Sequence, residues 1–248
     1  MLYAVSIDGQ TIGNLHTFEE SVSYKSQFVD VPSAHGGIAP RQKRGPISWR
    51  LIGEAAKTDL TTLRDYIDDL RKTFTQNKDV NVIRLDDNRY LASKVQSFRP
   101  LVDAARAPAL QAAFEIAGTA HDPFWYAASE STDQQSGSQA NGKTWGVTNN
   151  GKEPTPLKIK ITPTAANLTD VRITNTTTGE TVRYKGTIPQ NKSVIFDPRV
   201  KHHLLVGGLN DLSNMEGFFY DLAVGSNTLK YIGTTFTGTI DTFWTERF

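Results

Sequence analysis

The passage that decides the fold runs Asn149-Asn150-Gly151-Lys152-Glu153-Pro154-Thr155-Pro156 and then Leu157-Lys158-Ile159-Lys160-Ile161. Asn, Gly and Pro at its start favour turns for backbone reasons. Leu157, Ile159 and Ile161 then alternate with Lys158 and Lys160, the period of a strand with one buried face. The same grammar returns in Ile173-Thr174-Asn175-Thr176-Thr177-Thr178-Gly179-Glu180, in Val194-Ile195-Phe196-Asp197 and in Leu222-Ala223-Val224-Gly225-Ser226-Asn227-Thr228-Leu229. Short alternating strands between turn clusters predict a β-sandwich of jelly-roll type over residues 145–248.

Outward from this domain, residues 129–144 (Ser129 to Thr144) hold almost nothing apolar. Such a stretch buries too little surface to offset its ordering entropy, so it reads as a polar linker or exposed loop. Residues 1–128 then form an N-terminal domain. Tyr3, Val5 and Ile7 alternate ahead of an Asp8-Gly9 turn, and Val22, Tyr24 and Ile47 to Ile52 continue the strand pattern. Ser33 to Gly45 carries glycines, a proline and the basic residues Arg41, Lys43 and Arg44, with Pro46 next. It is expected to be an exposed, mobile loop.

One helix interrupts the strands. Leu60, Leu63, Ile67, Leu70 and Phe74 share one face at spacings of three and four, which predicts a helix over 59–76. Thr58 or Asp59 suits its N-cap, and Asn77 a left-handed end. A hairpin over 79–99 follows, turning at Asp86-Asp87-Asn88, and then a strand near 109–118. The N-terminal domain closes on Asp122-Pro123-Phe124-Trp125-Tyr126. The fold class is therefore mainly β, with one α-helix and one β-hairpin in the first domain.

Composition narrows the function. The chain has 248 residues and a formal net charge of +1, so no whole-molecule field draws nucleic acid or an anionic membrane. It contains no cysteine, which removes disulfides, Cys-based zinc sites and a Cys nucleophile. The opening residues lack the basic and apolar regions of a signal peptide, and no run nears the ~18 apolar residues of a membrane span. These features lead us to expect a cytoplasmic start.

No Gly-x-Ser-x-Gly elbow, phosphate loop or His-Glu-x-x-His motif is present, and no cofactor motif is read. His202 and His203 are adjacent, and neighbours on a strand face opposite ways, a poor geometry for one metal. Asp86-Asp87 and Asp68-Asp69 read as turn and helix-surface residues rather than a hydrolytic pair facing across a cleft. Arg41, Lys43 and Arg44 could meet phosphate or an acidic neighbour, but three charges without interleaved aromatics are a weak nucleic-acid signal. Trp125, Tyr126, Trp145 and Trp244 could form a sugar-stacking platform; the plainer reading is core or domain-interface packing.

Taken in order, these fragments resemble siphophage distal tail (Dit) proteins over nearly the whole chain. In the first half the likeness rests on the opening strand into Asp8-Gly9 and on the basic loop before Trp49-Arg50-Leu51-Ile52-Gly53. It also rests on the single helix, the hairpin, and Asp122-Pro123-Phe124-Trp125 as a domain-closing motif. In the second half it rests on Asn149 to Pro156, Thr176 to Glu180, Lys185-Gly186-Thr187-Ile188, Ile195-Phe196-Asp197 and Gly225 to Thr228. The resemblance implies a galectin-like C-terminal sandwich and a homohexameric ring at the tail tip of the virion, assembled in the host cytoplasm. Its implied partners are other copies of itself, the tail tube protein, the tail hub and peripheral fibre or receptor-binding parts. Arg41, Lys43 and Arg44 are then candidate contacts to a neighbouring subunit or the tube. The alternatives are a carbohydrate-binding module for host cell wall, or another tail or baseplate component.

Overall fold

The computed structural model describes residues 5–7, 10–12, 15–25, 29–30, 37–38, 43–101, 110–199, 203–206, 209–217 and 221–248. The chain separates into two compact units, Met1–Trp125 and Tyr126–Phe248.

In the first unit the elements are β1 (Val5–Ile7), β2 (Gln10–Thr11), β3 (Leu15–Lys25), β4 (Val29–Asp30), β5 (Gly37–Ile38), β6 (Lys43–Ala56), α1 (Leu60–Thr73), β7 (Asp79–Arg84), β8 (Arg89–Leu101) and β9 (Gln111–Ala120). Its main sheet has the order β2-β1-β7-β8-β9-β6-β3, and β4 pairs with β5. Alternation gives the sheet a buried face. Trp49, Leu51, Val80, Val82, Leu91, Val95, Phe114 and Ile116 are all buried, each such side chain contributing roughly 1.5–3 kcal/mol. The opposite face carries polar residues, among them the Arg50–Glu115 ion pair at 2.6 Å.

Helix α1 is shorter than the expected 59–76. Asp59 caps it, its carboxylate accepting from Thr62 N at 2.8 Å and Thr62 Oγ1 at 2.7 Å. The backbone bond from Thr62 holds the Asp59 carboxyl below its usual range. Leu63, Leu70 and Phe74 are buried, whereas Leu60, the first helical residue, is 52 % exposed. Asn77 does adopt a left-handed φ of 65°. It does so beyond the helix, where its N–H reaches Val95 O at 2.8 Å and aims the chain into the hairpin.

The second unit contains β10 (Tyr126–Ala127), β11 (Ser131–Gln139), β12 (Thr144–Asn149), β13 (Thr155–Pro156), β14 (Lys158–Pro163), β15 (Leu168–Asn175), β16 (Glu180–Ile188), β17 (Val194–Asp197), β18 (His203–Val206), β19 (Leu209–Asn210), β20 (Met215–Gly217), β21 (Asp221–Leu222), β22 (Gly225–Ile232) and β23 (Phe236–Trp244). Two antiparallel sheets, β11-β23-β14-β17-β18-β19 and β12-β22-β15-β16-β20, face each other as a sandwich. Ile159, Ile161, Phe196 and Ile240 of the first sheet pack in one core with Val171, Ile173, Val182, Tyr184, Leu229 and Tyr231 of the second.

The polar stretch 129–144 is not a linker. Its centre is β11, paired in register with β23 from Ser131↔Trp244 to Gln139↔Phe236. The ladder to β23 satisfies the backbone on that side, so a strand forms here without apolar alternation. Gln139 is fully buried and donates to Gln135 O at 3.2 Å and Gly238 O at 3.3 Å.

Candidate functional site

The basic cluster of the first unit divides at a bulge. Arg41 lies outside the described residues, as does the side chain of Lys43. Lys43 and Arg44 belong to strand β6 rather than to a loop: Lys43 faces Lys25 and Arg44 faces Tyr24 on β3. Gly45 and Pro46, turn residues in the sequence, sit where the register shifts between Val22 and Tyr24. A bulge leaves a residue unpaired, which is where a strand accommodates proline. Gly45 suits the close approach there, since a Cβ would lie 2.3 Å from Ser23 Oγ and 3.0 Å from Ser23 O.

Arg44 is exposed, and its guanidinium carbon stands 5.8 Å from the centre of the Phe124 ring. Two features that are far apart in sequence, the basic cluster and the Asp122-Pro123-Phe124-Trp125 motif, therefore meet. Asp122 is exposed and Pro123 half-buried. Trp125 is the anchor: it is buried, donates from Nε1 to Glu20 Oε2 at 3.1 Å, and meets the Phe18 ring edge-on at 6.4 Å. Arg84 lies 5.4 Å from the same indole ring. The motif closes the unit by burying an amphipathic ring whose polar tip is satisfied.

The carboxylates weighed as a catalytic pair are engaged elsewhere. Asp87 lies near Arg84 and Arg89, at 3.9 and 3.3 Å, inside the hairpin turn. Asp68 and Asp69 pair with Arg71 and Lys72 one helical turn on. His202 falls outside the described residues, and only the backbone of His203 is described. No group of three or more His, Asp or Glu among the described residues is placed to hold a metal. Trp125, Trp145 and Trp244 are buried and Tyr126 is half-buried, so they do not form a solvent-facing row. Among the described residues, no helix is long and apolar enough to cross a membrane.

In the second unit three asparagines in or beside the fragments that carry the resemblance are buried polar clamps. Asn149 donates to Glu153 O at 3.0 Å and Leu222 O at 3.3 Å and accepts from Gly151 N at 3.0 Å. Asn175 accepts from Thr177 N, holding the Thr-Thr-Thr-Gly turn, and donates to Asn227 Oδ1 at 3.0 Å. Asn227 in turn accepts from Ala223 N at 3.0 Å and donates to Ala223 O at 2.8 Å and Gly225 O at 3.0 Å. All three asparagines are at most 1 % exposed. Each amide does for a turn what a backbone partner does for a strand.

Two further devices were not visible in the sequence. Residues 245–247 fasten the start of the unit: Ala127 N donates to Glu246 O, Lys152 N and Glu153 N donate to Arg247 O, and Thr155 Oγ1 donates to Thr245 O. Asp197, the last residue of β17, accepts from Arg199 Nε at 3.0 Å and lies 3.9 Å from Lys158, while Arg199 also reaches Glu130. Burial pushes the Asp197 carboxyl up, but the bonds from Arg199 outweigh it and the net shift is downward. Burial pushes the Tyr231 phenol up to about 12, and its hydroxyl donates to Thr234 O at 2.6 Å.

This site is thus an arrangement of packed turns and surfaces, and known proteins of the same build fit it. Residues 150–248 match the family described as siphovirus-type tail component, C-terminal domain. The crystal structure of the SPP1 Dit (gp 19.1) protein, described as a paradigm of the hub adsorption apparatus in Gram-positive infecting phages, matches with a TM-score of 0.74 at 14% identity, covering 100% of both chains. A chain of the phage P2 baseplate in its activated conformation with Ca covers 94% of this chain and 99% of its own at 10% identity, with a TM-score of 0.46. No curated protein matches. The sequence match thus places residues 150–248 with the siphovirus-type tail component C-terminal domain, and the likeness of fold to SPP1 Dit extends over the whole length.

Proposed function

We propose that this chain forms a ring at the tip of a long, non-contractile phage tail, joins the tail tube to the hub, and does no chemistry. Six copies close the ring through their N-terminal units. The galectin-like C-terminal sandwich faces outward and holds peripheral tail or receptor-binding parts. Assembly takes place in the host cytoplasm, and DNA passes through without specific recognition. Arg44, with Arg41 and Lys43 beside it, contacts a neighbouring subunit or the tube protein, while Asp122, Pro123, Phe124 and Trp125 hold the surface that presents it.

One observation carries this reading: the fold agrees from end to end with a protein described as a hub of an adsorption apparatus. The physical features support it. A ring needs heterologous contacts between different faces of one subunit, and a net charge of +1 does not drive identical copies apart. The test is co-elution. Mixed with tail-tube and hub proteins of the same phage, the full chain should elute with both; elution apart from both contradicts the reading.

A further inference from the structure

The outer face of the sheet β12-β22-β15-β16-β20 carries more cations than carboxylates. Arg172 on β15 stands directly opposite Arg183 on β16, and like charges facing across a strand pair are destabilising. Arg183 is fully matched. Asp170 takes it in a two-pronged pair, Oδ1 to Nε at 2.6 Å and Oδ2 to the second terminal nitrogen at 2.8 Å, and Glu216 Oε2 meets its remaining nitrogen at 2.9 Å. The other Glu216 oxygen pairs with Lys185. All four carboxylate oxygens of the cluster are then taken. Among the described residues the Arg172 side chain has no hydrogen bond or ion pair, and it acts on Asp170 only through its charge. Lys230, facing Thr174 two residues along β15, adds a second such cation.

The backbone is shaped for this cluster. Asp170 adopts a left-handed φ of 52° at the register shift between Thr169 and Val171. The extra residue of this bulge lies on β16, where Lys185 and Gly186 oppose Asp170 alone; from there the Asp170 carboxylate reaches Arg183, while Arg172 is half-buried and unmatched. A planar guanidinium selects a carboxylate through two parallel hydrogen bonds, the arrangement Asp170 already makes one strand away.

We propose that this face, centred on Arg172 with Lys230 beside it, docks an acidic, carboxylate-bearing segment of a partner tail protein. The proposal rests on the reading that the C-terminal unit holds another part of the tail, and it adds which face does so and the chemistry it selects. The partner's Glu or Asp completes the row that Asp170 and Glu216 leave open.

The test is fluorescence anisotropy of a labelled peptide of alternating Glu and Ser, titrated with the full chain at low salt. The comparison proteins are the variants Arg172→Glu, Lys230→Glu and Arg44→Glu, each confirmed folded by circular dichroism. The expected result is saturable binding that salt weakens, a loss of about tenfold or more in affinity for Arg172→Glu, a smaller loss for Lys230→Glu, and little change for Arg44→Glu. No binding of the peptide, equal affinity of wild type and Arg172→Glu, or an equal loss in Arg44→Glu would overturn the proposal. So would a polyphosphate chain that binds through Arg172 where the peptide does not. A chain that stays monomeric yet binds the peptide through Arg172 would overturn the ring and leave this docking face standing.

Discussion

In the N-terminal unit the buried polar side chains among the described residues are Ser6, Ser93 and Thr119, small groups within strands. In the C-terminal unit they are Gln139, Asn149, Thr155, Asn175, Asp197, Asn227, Asp241 and Thr242. The first unit buries rings and aliphatic chains and leaves its amides and carboxylates outside. The second uses buried amides to fix the turns at its strand ends. The difference teaches what a family likeness is made of. Asn149 and Asn227, within fragments that carry it in the second unit, and Asn175, just before a third, are clamps that specify turn geometry. They identify the fold and do not by themselves point to a partner. The residues offered for partners, Arg44 and Arg172, sit on strand surfaces where the fold makes few demands.

The sharpest way to break this comparison is to remove one clamp. Asn227→Ala leaves Ala223 N, Ala223 O, Gly225 O and the Asn175 amide without their partner. Leaving buried groups unpaired in this way should cost about 3 kcal/mol. Denaturant unfolding should show the C-terminal transition shifted and the N-terminal one unmoved; a loss below about 1 kcal/mol would mean that the amides are incidental.

The matching probe of the first unit is steric. A Cβ at Gly118 would lie 2.4 Å from Trp49 Cζ2 and 2.6 Å from Lys94 O. Gly118→Ala should therefore cost about 2 kcal/mol in the N-terminal transition alone. An unshifted transition would show that the apolar layer repacks more freely than its close contacts indicate.

Next in size is a pH effect confined to the second unit. The folded carboxyl of Asp197 titrates lower than in the unfolded chain. Its contribution is present above the unfolded value of about 4 and is lost as pH falls through the folded one. Asn at this position cannot titrate. Thermal melts of Asp197→Asn should show reduced stability at neutral pH and a flatter decline in acid. An acid limb as steep as wild type would assign the effect to other carboxylates.

The smallest expected effect on stability is at Arg44. Arg44→Ala removes the contact to the Phe124 ring and should change unfolding by no more than about 0.5–1 kcal/mol. The same change should weaken self-association measured by sedimentation. Strong destabilisation would make Arg44 a structural residue of the first unit.

Much of this was legible in the sequence, for physical reasons that differ by region. The spacing of Leu63, Leu70 and Phe74 placed the helix, because a buried face imposes its own period. Leu60 fits the same period but lies outside the core, at the helix's first turn. The alternation of Leu157, Ile159 and Ile161 gave the sandwich. Strand β11 was hidden because its inward positions are Asp133, Gln135 and Gln139, whose partners lie about a hundred residues away on β23. Lys43 and Arg44 looked like loop because Gly45 and Pro46 punctuate there, and only the bulge opposite Ser23 shows how a strand absorbs them. The meeting of Arg44 with Phe124 and the facing pair Arg172 and Arg183 are products of tertiary register, which no local pattern records.

The central claim is the ring, and the most direct measurement is the mass of the full chain in solution by light scattering at high concentration, with negative-stain images of the same sample. A hexameric species and closed rings of six-fold symmetry are expected. A strict monomer across the accessible concentration range, with no rings in the images even when tube and hub proteins are added, would contradict it.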